Sequence, residues 1–248
     1  MADTTQVALI TGASRGIGEA AARELARRGY ALALAARSAG PLEQLAAELA
    51  QGGARALAIP TDMASAADLA WLAERALAEF GRVDALVLNA GVGGGGLLAR
   101  MPAGAAEATL ATNLLAPIEL TRMLLPQMIE RRSGAIVLVS SVAGSIGIPA
   151  SSVYSASKFG LRGFGDGLRR EVARQGIGVT VVSPGYIRTA MTAGVRVPMP
   201  GPAVAGRAIA RAIERPRRHV FVPGYYRPFV WLAQLLPGLA DLALRGRR

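Results

Sequence analysis

Val7-Ala-Leu-Ile-Thr11-Gly12-Ala13-Ser14-Arg15-Gly16-Ile17-Gly18 decides how this chain folds. Val7 to Thr11 is a short apolar strand that runs straight into a turn spaced Gly-x-x-x-Gly-x-Gly, and an amphipathic helix is predicted onward to about Arg28, with Gly29 as its stop. Glycines in such a turn let backbone approach a pyrophosphate. The helix N-terminus behind them offers free N–H groups and a partial positive charge. A glycine triplet alone is weak, and its weight comes from the residues downstream of it.

The alternation of strand and helix then repeats. Ala31 to Ala35 reads as a second strand ending in Ala36-Arg37-Ser38, followed by a helix from about Pro41 to Ala50 and a third strand from Arg55 to Ile59. At the end of a second strand, a carboxylate suits the ribose hydroxyls of NAD and a cation suits the 2'-phosphate of NADP. Arg37 occupies that place and Arg15 in the glycine turn can join it, so NADP(H) is expected ahead of NAD(H). Both would also pass for surface residues of an arginine-rich chain. Asp62 and Met63 follow the third strand, where Asp62 suits either an adenine amino group or the cap of a helix over Ala66 to Phe80. A fourth strand, Asp84 to Leu88, ends in Asn89-Ala90-Gly91, a break where backbone can come close to a ligand. Gly93 to Gly96 reads as a flexible loop over the site mouth. Ala103 to Arg131 is a long helical region containing Asn113, with bends expected at Pro117 and Pro126. The fifth strand, Ala135 to Ser140, leads to Ser140-Ser141, and the next, Gly178 to Ser183, to Pro184-Gly185. This pattern predicts an α/β fold: one Rossmann-type domain over 1–248, a doubly wound parallel sheet of about seven strands flanked by helices. Ligands of such sheets collect at the carboxyl ends of strands, where Gly12, Asn89, Ser141 and Pro184 sit.

Composition narrows the chemistry. Hydrophobic residues make up 52% of the 248 and charged residues 18%, which supplies a core and excludes a disordered chain. There is no cysteine, so disulfides, zinc-thiolate sites and thiol nucleophiles are excluded; the single histidine, His219, excludes a multi-histidine metal site. No metal is expected. His219 follows Arg217 and Arg218, opens Val220-Phe221-Val222 and reads as a strand-edge residue. The net charge is +11, of which nine arginines against Glu214 and Asp241 place +7 from Ala205 onward. No aromatic-interleaved basic face accompanies it, so nucleic acid is not expected; acidic ligands or an anionic membrane surface fit better. The opening Met1-Ala-Asp-Thr-Thr-Gln6 leaves no room for a secretory signal before Val7, and a cytoplasmic location is expected, with peripheral membrane contact open.

Between Ser151 and Gly163 lies Tyr154-Ser-Ala-Ser-Lys158. Four residues apart on a helix, the two side chains share a face. A cation beside a phenol favours phenolate, and such a pair can exchange a proton with an alcohol or a carbonyl. Lys158 is the only lysine among 28 basic residues. By itself the motif equally describes a buried aromatic next to a solvated amine.

Taken together, these positions resemble the short-chain dehydrogenase/reductase family. The resemblance runs from about Val7 to Thr189 on Thr11-Gly-x-x-x-Gly-x-Gly18, Asp62, Asn89-Ala-Gly91, Asn113, Ser141, Tyr154-x-x-x-Lys158 and Pro184-Gly185-x-x-x-Thr189. The family's spacing places the catalytic serine at Ser141 and not Ser140. It implies that Tyr154 gives or takes the proton and that Ser141 steadies the substrate oxygen. Lys158 would lower the Tyr154 pKa and bind the nicotinamide ribose, while Asn113 would kink its helix to hold a water relaying protons to Lys158. Thr11, Gly12, Ser14, Arg15, Gly16, Ile17, Gly18, Arg37, Ser38, Asp62, Met63, Asn89, Ala90, Gly91, Pro184 and Gly185 would serve the cofactor, with Ile187 and Thr189 at its carboxamide and phosphate side. Leu88 departs from the first of two asparagines that the family often carries there. A homodimer or homotetramer through the long helices is implied as well.

Past Thr189, residues 190–201 form an apolar stretch with Met191, Met199 and Arg196, expected as a substrate lid favouring a greasy ligand. Residues 224–248 form an apolar and basic extension broken by Pro237, able to lie in a membrane interface, pack on a partner subunit or roof the pocket. The expected function is NADP(H)-dependent hydride transfer to or from a hydrophobic ketone or secondary alcohol, 3-oxoacyl or steroid-like. An NAD-linked alcohol dehydrogenase and a non-catalytic NADP-binding sensor are the alternatives.

Overall fold

Seven short apolar runs form strands: β1 (Val7–Thr11), β2 (Ala31–Ala36), β3 (Ala56–Pro60), β4 (Ala85–Leu88), β5 (Gly134–Val139), β6 (Ile177–Pro184) and β7 (His219–Val222). Almost every residue in the central ones is buried, because helices cover both faces of the sheet and no alternate side chain reaches water. All pairings are parallel, in the order β3-β2-β1-β4-β5-β6-β7. The structure is a computed structural model describing residues 5–93 and 96–244. Gly94 and Gly95 of the expected mouth loop and the terminal run from Arg245 lie outside the described residues.

The helices are α1 (Gly16–Arg27), α2 (Ala39–Gln51), α3 (Ala66–Phe80), α4 (Ala105–Leu110), α5 (Ala116–Glu130), α6 (Ser152–Glu171), α7 (Ala203–Glu214), α8 (Tyr226–Leu235) and α9 (Pro237–Leu244). Successive strand residues point to opposite faces. Ala8 and Ile10 therefore meet Ala22, Leu25, Leu42 and Ile209 from α1, α2 and α7. Leu9 meets the opposite layer, with Leu72, Leu120, Leu124 and Leu161 from α3, α5 and α6. Each fully buried leucine contributes about 1.5–3 kcal/mol over its exposed state, so both layers hold the sheet firmly. At its amino edge, buried Asp84 accepts from Val7 N at 2.9 Å and from Arg82 Nε at 3.0 Å. That ties the start of β1 to the segment entering β4.

Two local expectations are corrected. The helical region expected from Ala103 is interrupted: α4 stops at Leu110 and a π-type turn, Ala111–Leu115, precedes α5 just before Pro117. Asn113 lies in that turn with its amide drawn onto Val92, and Pro117 has no N–H to give the carbonyl four residues back, that of Asn113. The cap of α3 is Ser65, whose Oγ accepts from Asp68 N at 3.2 Å. Asp62 instead accepts from Ala64 N at 3.0 Å and stays exposed.

The strand order reverses between β1 and β4. A crevice at the carboxyl ends of these two strands is where ligands of such sheets bind.

Candidate active site

The walls of that crevice begin with the turn after β1. Gly12 has φ of +66°, and a methyl at Gly18 would lie 2.1 Å from the Gly12 carbonyl oxygen and 2.6 Å from Asn89 Nδ2. Only glycine at both positions lets the turn fold this tightly. Asn89 clamps it from the end of β4, donating through Nδ2 to the carbonyls of Thr11 at 3.0 Å and Gly12 at 3.2 Å. Thr11 Oγ1 answers by accepting from Asn89 N and Ala90 N, both at 3.0 Å. No side chain caps the first turn of α1, so its N–H groups face the crevice uncapped. Arg15 and Arg37 are exposed at the crevice edge, and neither forms an ion pair among the described residues. This set, a close backbone cradle followed by two unpaired cations, fits the diphosphate and extra phosphate of a dinucleotide.

The crevice encloses about 1090 Å³. Gly12, Ser14, Arg15, Gly16, Ile17, Arg37, Ser38, Asp62, Met63, Asn89, Ala90 and Gly91 line one part of it. Ser141, Tyr154, Lys158, Pro184, Gly185, Ile187 and Thr189 line the other. Thr11, Gly18 and Asn113 do not reach it. They stand behind the lining and hold it in place, Asn113 by accepting from Val92 N at 2.8 Å and donating to Val92 O at 3.0 Å and Ser157 Oγ at 3.1 Å.

Ser140 and Ser141 part company at the end of β5. Ser140 Oγ is buried and donates to the Lys158 carbonyl at 3.0 Å, which fixes α6 against the sheet. Ser141 lines the crevice beside Tyr154, accepts from Ala143 N at 3.1 Å and donates to Pro184 O at 3.5 Å. Burial pushes the Tyr154 hydroxyl above its ordinary value, partly offset by Ser141. Lys158 is 4% exposed, its Nζ donates to Val139 O at 3.0 Å, and burial alone lowers its pKa from 10.5 to about 8. Its Nζ lies 5.8 Å from the Tyr154 ring centroid. In this structure desolvation sets the direction of the Tyr154 shift and favours the protonated phenol.

Sequence reasoning missed Tyr226 as a site residue. Its ring fills the space beside Gly185, where a methyl would come within 2.1 Å of it, and its hydroxyl accepts from Tyr186 N at 3.2 Å. Tyr226, Phe229, Ala243 and Leu244 line the crevice, so the C-terminal stretch roofs part of the pocket, one of the three readings open for it. Nothing in the sequence pairs position 226 with 185; only the chain's return over the sheet after β7 does. Met191 and Val195 of the expected lid also line the cavity, and Met191 packs near Gly93. His219 opens β7 as an edge residue with Nε2 2.7 Å from the buried Ser183 Oγ, away from the crevice.

A crevice at the switch point of a doubly wound sheet, with serine, tyrosine and lysine on one wall, defines the dinucleotide-binding Rossmann class. A family model described as short chain dehydrogenase matches residues 6–199, and the chain belongs to the short-chain dehydrogenase/reductase family of oxidoreductases. It is 38% identical over 226 residues to ketoacyl reductase HetN of Nostoc sp., covering 88% of this chain and 79% of that one. Among solved structures, actinorhodin polyketide ketoreductase with NADPH is 30% identical with a TM-score of 0.82, covering 88% and 95% of the two chains. A short-chain dehydrogenase/reductase from Burkholderia phymatum in complex with NAD is 25% identical with a TM-score of 0.89, covering 97% and 96%. The neighbours thus hold either dinucleotide.

Proposed function

We propose that the protein is an NADPH-dependent reductase of hydrophobic ketones, the 3-oxoacyl type foremost. The observation that carries this reading is that Ser141, Tyr154 and Lys158 line one wall of a crevice that also takes in Arg15 and Arg37. Hydride chemistry is the dinucleotide's contribution when bound; the chain holds and orients it, excludes water and moves one proton. Tyr154, kept protonated by burial, hands its proton to the substrate oxygen. Ser141 donates to the same oxygen as negative charge develops. Lys158, half ionised near pH 8, is the group placed to return a proton towards Tyr154. Arg15 and Arg37 select the 2'-phosphate. The apolar Met191, Val195 and Phe229 suit a greasy substrate. The ketoacyl and polyketide reductase names of two relatives agree with a 3-oxoacyl chain.

NADPH and NADH oxidation against ketones graded by chain length and ring size tests this reading. Turnover is expected with NADPH, rising with substrate hydrophobicity, and falling about 10²–10⁴-fold in Tyr154→Phe. Arg37→Asp should shift preference towards NADH; unchanged preference refutes the phosphate assignment. NAD-linked oxidation is the second reading, favoured by the NAD complex of one neighbour, and wild-type preference for NADH would establish it. Leu115 and Phe159 are exposed beside α5 and on α6, which supports a homodimer or homotetramer through those helices, measurable by light scattering.

A further inference from the structure

The two C-terminal helices have one side committed to the fold and one side committed to nothing. On α8, Tyr226, Val230 and Gln234 recur at helical spacing on one face. All three are tied down: Tyr226 to Tyr186, Val230 by burial, and Gln234 Nε2 to the Ser145 carbonyl at 3.1 Å. The opposite arc presents Trp231, Leu232 and Leu235, the last 77% exposed. No residue of α9 is buried, and Leu239 and Leu242 extend the apolar surface.

Charge identifies what covers it. Arg227 lies with its guanidinium 4.5 Å from the Trp231 ring centroid, an aromatic–cation pair suited to headgroup level. Arg162, Arg218 and Arg227 all act on His219 in β7, on which α8 packs; Asp166, 3.1 Å from Arg218, is the carboxylate among them. Asp241 is the sole acidic residue after Glu214, and Arg245, Arg247 and Arg248 follow α9 in the sequence. An apolar patch with Arg227 stacked on its tryptophan, in a stretch whose sequence carries four arginines for one acidic side chain after Val222, complements an anionic lipid surface more than a neutral one. A second copy docked on the same patch would set arginine against arginine. Length agrees: ten and eight residues make helices about 15 and 12 Å long, too short for a hydrocarbon core of about 30 Å and suited to lie in its surface. No helix among the described residues is long and apolar enough to cross a membrane.

The inner side of the same pair continues into the crevice through Phe229, Ala243 and Leu244. We propose that α8 and α9 lie in the interface of an anionic bilayer and admit a membrane-dissolved ketone from it to the crevice, a substrate assignment that rests on the reductase reading above.

The test uses the full chain carrying Trp71→Phe, which leaves Trp231 as the one indole of the two in the sequence. Phosphatidylcholine vesicles are added with and without phosphatidylglycerol. Co-sedimentation and a blue shift of Trp231 emission are expected with phosphatidylglycerol, weakening as salt rises. In the otherwise unaltered chain, Trp231→Ala with Leu235→Gln should bind at least about tenfold more weakly. The same double variant should keep its melting temperature and its NADPH oxidation with a short, water-soluble ketone, yet lose turnover of a long-chain ketone carried in the vesicles. Protein that stays in the supernatant with both vesicles overturns the proposal, as does equal binding without phosphatidylglycerol. So does a drop in oligomer size in the double variant, which would assign the face to a second copy. Failure of the short ketone alone would strike the reductase reading, while the vesicle result would still decide the membrane contact.

Discussion

Lys158 holds a charge where charge is hardest to keep. Its ammonium is buried and donates to the Val139 carbonyl, and its pKa falls from 10.5 to about 8. Between those values the unfolded chain keeps a proton that the native state has released, so native stability rises with pH through that window; below about 8 the penalty is present in full. At 1.36 kcal/mol per pKa unit, it is on the order of 3 kcal/mol. Lys158→Met should therefore be more stable than wild type at pH 7 without dinucleotide, and its urea midpoint should rise less between pH 8 and 10. A wild-type midpoint flat over that range would show that the amine is not desolvated. The sequence made Tyr154 and Lys158 legible as neighbours because helical spacing is a local property. It did not make the burial of Lys158 legible, because that depends on α6 packing against β5, where the Val139 carbonyl accepts from the ammonium.

At the scale of elements, the β1–α1 turn is the least forgiving. An added methyl at Gly18 meets the Gly12 carbonyl and the Asn89 amide, both already engaged in the clamp, so neither can yield without breaking a hydrogen bond. Gly18→Ala should lower stability by about 1–3 kcal/mol and weaken NADPH binding at least about tenfold, read by thermal unfolding and by nucleotide fluorescence titration. Unchanged binding would mean that the turn is not the cradle. Most elements were readable to within a few residues because strands buried on both faces are apolar throughout and helices between them show one apolar stripe. The break at Asn113 was legible through the family resemblance, which implied a kink there; the contact with Val92 that holds it is made across the chain. The capping role fell to Ser65 and not Asp62 because Ser65 directly precedes α3, within reach of Asp68 N.

For the whole molecule, 28 basic residues face 17 acidic ones. Exposed pairs such as Arg23–Glu48 and Arg122–Glu119 sit in solvent that already weakens them, so screening them costs little. Repulsion among the unpaired arginines is the larger effect. The melting temperature should accordingly rise by a few degrees from low to physiological salt; a fall would show that ion pairs dominate. The parallel α/β class was readable from alternation alone. The pairing order was not written in any one segment and arises from how successive crossovers pack. For the C-terminal stretch, composition left three destinations open, and only the placement of Tyr226 against Gly185 brings it to the crevice.

The solitary lysine has one more consequence. An acylating reagent finds a single ε-amine in this chain, and that amine is sheltered inside the crevice at 4% exposure, with the α-amine distinguishable by peptide mapping. The rate at which Lys158 becomes tagged would count how often the crevice breathes open. Its slowing under added nucleotide would report occupancy with no substrate in hand.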